Sequence, residues 1–251
     1  MTYETLQKKL AGVNDLPTLP IVANTVVQIT QNPNTSALDV GRAISQDQAL
    51  ATKVLRIANS AYYGFPRKIT TITHAIVILG FAHIRNIVLT ASIFDVFQSM
   101  KGSTGFDQKG LWEHSLACAV TSKLIAKNVG VTNLEEIFIC GMLHDFGKLI
   151  LDSYLKEDFT RVVTLAQEKN MLLRDAEQEI LNLDHAIVGA FVADRWNLAP
   201  SLIKAIRYHH TPPDADDSMR IAAIVHIADA ICRAMGLGNG GDDKIPCIGK
   251  E

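Results

Sequence analysis

Residues 133–151 read NLEEIFICGMLHDFGKLIL. Glu135 and Glu136 fall in a first turn opened by Asn133, where carboxylates complement the positive end of a helix dipole. Phe138, Ile139, Met142, Leu143, Leu149 and Ile150 recur at helical spacing, so the stretch is expected to form one buried helix running to about Leu151. His144 and Asp145 stand in the middle of it. A carboxylate among core positions is costly unless it is paired or coordinated. Neighbouring helix positions project about 100° apart, so the two can chelate one ion only from the rim of a bundle cavity. Lys148 follows one turn after His144 on the same face, where it could hold a phosphate oxygen as a point charge.

The same helical period extends outward in both directions, and alternating strand patterns are scarce. Upstream, Leu16-Pro17 and Leu19-Pro20 precede a helix ending near Asn32-Pro33-Asn34, and Ser36 caps a helix with Asp39 in its first turn. An apolar segment over 49–60 stops at Tyr63-Gly64-Phe65-Pro66, with Asn59 and Ser60 capping that turn. Helices over 73–79 and 83–97 split near Gly80. Residues 101–105, KGSTG, form the clearest linker. Downstream, helices are expected over 112–129, 155–169, 174–181, 185–196 with Asp184 as cap, 200–209 and 219–235. The chain therefore divides into an N-terminal helical lobe (1–105), a second helical lobe (106–236) and a Gly-rich tail (237–251). The tail is expected to be disordered, or to mark a chain that stops short of a fuller C-terminus.

The 251 residues carry a formal charge of -2, without the basic excess of a duplex-coating nucleic-acid binder. Cys118, Cys140, Cys232 and Cys247 have no CxxC spacing and read as reduced thiols of a cytoplasmic protein. The N-terminus is charged where a signal peptide is apolar, and no apolar run is read as approaching a membrane span. No strand and Gly-Lys-Thr ending accompany the glycines at 236–241, so a P-loop nucleotidase is excluded.

Four further histidines, making five of the chain's eight, join the doublet in a wider pattern. His114, His144, Asp145, His185, His209, His210 and Asp229 supply enough imidazole and carboxylate for two ions. Asp229, within IVHIADAI (224–231), is a second charged residue among core positions. His209 and His210 also suit a helix C-terminus without any metal. His74, His83 and His226 are read as satisfied core histidines. Lys53, Arg56, Asn59, Arg67, Lys68 and Arg85 form a polar set in the first lobe, read as a solvated face with hydrogen bonds between lobes.

On these residues the chain resembles the HD superfamily of metal-dependent phosphohydrolases. The resemblance implies that His114, His144, Asp145 and Asp229 hold one metal, and that His185, His209 and His210 hold a second, as in the HD-GYP phosphodiesterases, with Asp145 bridging. Residues 144–148, HDFGK, match the family's HDxGK run. In the first lobe, LPTLP (16–20), ISQD (44–47), KVLRIANSAYYG (53–64) and AIVILG (75–80) resemble the HDOD domain, an HD-related output domain of bacterial signalling. The resemblance runs from about 16 to 236. It implies an all-α protein whose N-terminal helical lobe packs on an HD-like lobe. HDOD domains often have eroded metal sites, whereas this chain keeps the full set. An HD-GYP enzyme would continue after His210 with Glu and a Gly-Tyr-Pro run; TPPDAD (211–216) stands here instead, so cyclic-dinucleotide hydrolysis does not carry over.

The expectation is a cytoplasmic signalling module, monomeric or weakly dimeric, with two divalent ions. Iron is favoured over manganese, nickel or zinc, and signalling proteins are the partners. The alternative is a phosphohydrolase acting on a nucleotide or related phosphate, with Asp145 and Lys148 as its catalytic residues. A di-iron redox or oxygen sensor would use the same ligands.

Overall fold

The computed structural model describes residues 16–30, 32–60, 63–100, 102 and 105–248. Asp15, Ala61, Tyr62 and most of the 101–105 linker lie outside the described residues. The fold is all-α, with no strand among the described residues. The chain separates into two compact units, Pro17–Ser99 and a second comprising Met1–Leu16 with Met100–Glu251.

The first unit contains α1 (Ile21–Ile29), α2 (Ala37–Ser45), α3 (Gln48–Ala58) and α4 (Ile72–Ser99). Ser36 and Asp39 form a reciprocal capping box at the start of α2, each satisfying the other's backbone N–H. Val26, Val40, Ile44, Val54, Ala75, Ile84 and Val88 meet in one core. Gly80 (φ 81°, ψ 165°) breaks α4 where the sequence places the split. Contrary to the reading of apolar runs, α4 is long and apolar enough to cross a membrane by length and composition, and half of its most apolar stretch is buried in the protein. His74 is exposed rather than a core histidine, because the buried face of its helix is carried by Ile72, Ala75 and Ile76. Asn59 does not cap the Gly64 turn. Its amide donates to Leu55 O and Ile69 O and accepts from Ile69 N, each at 2.8 Å, which ties the end of α3 to the segment that leads into α4. Lys53 pairs with Asp95, so one cation of the polar set is engaged within its own unit.

The second unit contains α5 (Gln108–Asn128), α6 (Leu134–Leu143), α7 (Phe146–Tyr154), α8 (Lys156–Lys169), α9 (Leu173–Leu181), α10 (His185–Arg195), α11 (Pro200–Arg207), a 3-10 turn (Pro212–Ser218) and α12 (Met219–Ala234). Close approach is set by glycines. A Cβ on Gly141 would lie 2.8 Å from Cys118 O and Ala119 Cα, and one on Gly147 would lie 1.9 Å from His185 O. Two backbone contacts thus lock α6 to α5 and α7 to α10, the helices that carry or flank His114, His144, Asp145 and His185.

The single helix expected over 133–151 is two helices. α6 ends at Leu143, and Asp145 (φ -97°, ψ 3°) opens α7. A continuous helix would turn His144 and Asp145 100° apart. The break brings His144 Nε2 to 3.4 Å from Asp145 Oδ2.

Candidate metal centre

The structure brings all seven expected ligands together. His114 comes from the middle of α5, His144 and Asp145 from the α6–α7 break, and His185 from the first residue of α10, capped by Asp184, whose Oδ1 accepts from Ile187 N at 3.1 Å. His209 and His210 follow the C-terminus of α11, and Asp229 lies inside α12. His114, His144, His209 and Asp229 have no exposed surface, and Asp145 and His185 have 1%.

Asp145 lies at the centre, with its two oxygens facing different partners. Oδ2 is 3.6 Å from His114 Nε2 and 3.4 Å from His144 Nε2. Oδ1 is 3.1 Å from His185 Nε2 and 4.0 Å from His209 Nε2. Asp229 Oδ1 completes the first side, 3.1 Å from His114 Nε2 and 4.0 Å from His144 Nε2. On the second side, His210 Nε2 is 2.9 Å from His185 Nε2. Three donor groups result: His114, Cys118, His144 and Asp229; His185, His209 and His210; and, joining the two sides, His144, Asp145 and His209.

Four imidazoles are oriented by the ring nitrogen turned away from the centre. His114 Nδ1 contacts Leu237 O at 3.3 Å, His144 Nδ1 contacts Gly141 O at 2.8 Å, and His209 Nδ1 contacts Ile206 O at 2.7 Å. His185 Nδ1 meets Glu177 Oε2 at 2.7 Å. The three carbonyl contacts make Nδ1 the protonated nitrogen and leave Nε2 a lone pair aimed inward, as acceptors behind the ring do for metal-binding histidines. His144 Nε2, His209 Nε2 and Asp229 Oδ2 are buried without a hydrogen bond, and Asp145 Oδ1 has the His185 ring 3.1 Å away. Orphaned buried acceptors are rare and costly, and this donor set fits a divalent cation.

Protonation follows burial and charge. Burial pushes the His144, His209 and His210 pKa values down, so these rings offer lone pairs at neutral pH. Burial also acts against charge on His185, but the Glu177 and Asp145 carboxylates outweigh it and raise that ring to about 9. For Asp145, burial is outweighed by His144 and Lys148, and the carboxyl is held well below its usual range. For Asp229, His114 and Arg233 do the same.

Lys148 is fully buried; its Nζ donates to Asp145 Oδ2 and to Gly240 O, each at 2.7 Å. Arg233, which the sequence reading did not single out, donates to Asp229 Oδ1 at 2.8 Å, to Asp242 Oδ1 at 2.9 Å and to Lys244 O at 3.1 Å. Its position one turn after Asp229 is a readable signal. Glu177, fully buried in α9, was also missed, because nothing local marks a helix Glu as a partner for a ring eight residues on. Cys118, one turn after His114, sits with Sγ 3.5 Å from His114 Nε2 and 3.9 Å from Nδ1, over the ring face.

The Gly-rich tail is not disordered across 237–248. Asn239 N donates to Gly110 O at 2.9 Å, Asp242 Oδ2 accepts from Leu173 N at 2.9 Å, and Cys247 O contacts His226 Nε2 at 3.1 Å. Gly238 (φ 72°) passes so close to α5 that a Cβ would lie 2.1 Å from His114 N. The glycines let backbone carbonyls reach Lys148 and Arg233 where side chains would not fit. Between this segment and α9, α10 and α12 lies a cavity of about 280 Å³ whose wall includes His185, His210, Asp229 and Arg233.

An all-helical unit that gathers histidines and aspartates around a His-Asp doublet defines an HD-type domain. A family model for the HDOD domain matches residues 16–212, and the chain belongs to the HDOD family. It is 29% identical over 223 residues to an uncharacterized protein of Treponema pallidum, covering 86% of this chain and 43% of that one. It is 32% identical over 132 residues to ribonuclease Y of Mycoplasma mycoides, covering 53% of this chain and 24% of that one. The chain thus spans less than half the length of these relatives. Among solved structures, an HDOD domain protein of unknown function from Geobacter sulfurreducens superposes with a TM-score of 0.86 at 30% identity, covering 98% of this chain and 82% of that one. A proposed phosphohydrolase from Shewanella amazonensis SB2B superposes with a TM-score of 0.74 at 28% identity, covering 91% and 81%. The family and these neighbours make the chain an HD-related domain of the HDOD type.

Proposed function

We propose that this chain is a signal-output module whose HD-like unit holds two divalent ions and which acts through regulatory contacts with signalling proteins. The observation that carries the reading is the ring of donors around Asp145, with His144 Nε2 and His209 Nε2 buried and without a hydrogen bond on its two sides. Left bare, each costs about 1–3 kcal/mol. His114, His144 and Asp229 would hold one ion with Asp145 Oδ2, and His185, His209 and His210 the other with Asp145 Oδ1. The donors are nitrogen and oxygen, which iron, manganese, nickel and zinc all accept. Iron is our choice for a histidine-rich pair bridged by a carboxylate. The regulatory part is supported by the cover over the centre: Lys148 and Arg233 are already engaged by Asp145, Asp229, Asp242 and tail carbonyls.

Elemental mass spectrometry of protein purified without chelator or air tests the centre. About two ions per wild-type chain are expected, and close to none in the His144→Ala/Asp145→Ala double variant. Less than one ion per wild-type chain after reconstitution rejects it. Partner binding unchanged in the double variant rejects a role for the centre in output.

The second reading is phosphoester hydrolysis, favoured by the cavity that reaches His185, His210 and Asp229 and by the similarity to ribonuclease Y. Bound divalent ions supply a Lewis acid and a water of lowered pKa. Asp145 would hold that centre, and Lys148, released from Asp145, would bind a phosphoryl oxygen. Hydrolysis of bis-p-nitrophenyl phosphate by the iron- or manganese-loaded protein, lost in His144→Ala, would establish it. No turnover with any of the four metals would leave the regulatory reading alone.

A further inference from the structure

The cavity beside the centre contains two polar residues that no ligand role has absorbed. His226 was expected to be a satisfied core histidine, and it is only half satisfied. It is 8% exposed and lines the cavity. Its Nε2 contacts Cys247 O at 3.1 Å, which makes Nε2 the protonated nitrogen. Its Nδ1 is then a bare acceptor, buried and without a partner. A lone pair of this kind takes an O–H or N–H donor. Arg174, in the first turn of α9, is the second residue. It lines the same cavity, and among the described residues its guanidinium pairs with the adjacent Asp175, at 3.3–3.4 Å. Arg233, the other cation of that wall, is held by Asp229 and Asp242. Arg174 is therefore the cation with donors left to offer. A guanidinium fork suits phosphate or carboxylate oxygens.

We propose that the cavity is a binding site for a small phosphoester that carries a hydroxyl, with Arg174 receiving the phosphate and His226 Nδ1 accepting from the hydroxyl. A volume of about 280 Å³ is at the lower edge of ordinary small-molecule sites, roughly 300–1,000 Å³, and fits a sugar phosphate rather than a polymer. The inference deepens the metal-centre reading and rests on it, since the wall beyond Arg174 is formed by His185, His210 and Asp229. It holds whether the ligand is turned over or only sensed.

Ribose 5-phosphate and inorganic phosphate are the probes, titrated calorimetrically into metal-reconstituted protein. Wild type should bind ribose 5-phosphate more tightly than phosphate. Arg174→Ala should weaken both about tenfold or more, with Arg174→Lys recovering part. His226→Phe keeps an aromatic ring without the acceptor nitrogen and should erase the difference between the probes. Metal content should be unchanged in each variant. A second readout needs no variant: Cys247 lines the cavity and is the exposed cysteine, while Cys118, Cys140 and Cys232 are buried. Ribose 5-phosphate should slow its reaction with a thiol reagent. Normal metal uptake with no binding of either probe overturns the inference and leaves the metal centre standing. So does binding untouched by Arg174→Ala, or a Cys247 rate unaffected by ribose 5-phosphate. Failure to take up metal overturns both.

Discussion

Glu177 and His185 are joined twice: Glu177 Oε2 accepts from His185 Nδ1 at 2.7 Å and from His185 N at 2.8 Å. One carboxylate oxygen thus fixes both the start of α10 and the tautomer of its first side chain. Outer partners of this kind are worth about 10–100-fold in metal affinity. Glu177→Gln should therefore weaken metal binding by about that factor. Chelator competition on the two proteins measures it; equal affinities would mean that the ring is oriented without Glu177.

Lys148 balances Asp145 when no ion does. Removing one partner of a buried pair costs about 3–5 kcal/mol. Lys148→Met should lose about that much stability in chelator, measured by urea unfolding. The loss should shrink on metal loading, because the cation would then neutralise Asp145. An equal loss under both conditions would show that Lys148 contributes through packing.

Gly147→Ala places a Cβ 1.9 Å from His185 O and 2.8 Å from Gly189 N. Backbone on both sides leaves no flexible group to yield, so α7 and α10 must part. Overpacking of this sort costs about 1–3 kcal/mol. We expect a lower thermal midpoint together with weaker metal binding, since Asp145 and His185 sit on the helices that separate.

Gly238→Ala puts a Cβ 2.1 Å from His114 N, at a φ of 72°. The segment over 237–247 should lift from α5 and lose its contacts to Lys148 and Arg233. Hydrogen exchange reads this as faster exchange at Asn239 N, which donates to Gly110 O, with α12 unchanged. Unchanged exchange at Asn239 would show that the tail tolerates the methyl.

In the first unit, the Ser36 side chain and backbone lower the Asp39 pKa. A carboxyl whose folded pKa is depressed contributes stability above its unfolded value, about 3.9. The contribution is lost as pH falls through the folded value. Ser36→Ala should therefore lower the thermal midpoint at pH 7, and the deficit should narrow in acid below about pH 4. A deficit independent of pH would assign the effect to the Ser36 hydroxyl alone.

Helical class, the caps at Ser36 and Asp184, the Gly80 break and the seven ligand candidates were legible in the chain. Each is either a local periodic signal or a residue type that is expensive to bury without a partner. The α6–α7 break was not legible, because its apolar flanks continue the helical period on both sides of His144-Asp145. Glu177 and the state of His226 were also hidden, since a partner eight or more residues away leaves no local mark. The tail is the clearest case. Its glycines read as a chain without structure because they carry no side chains to pack. In the fold, that same lack of side chains lets backbone carbonyls reach Lys148 and Arg233. Which groups could ligate an ion was readable from the order of residues. Which oxygen of Asp145 faces which histidines, and what closes over them, arose in the packed fold, because those relations come from helix packing at Gly141 and Gly147 and not from any local preference.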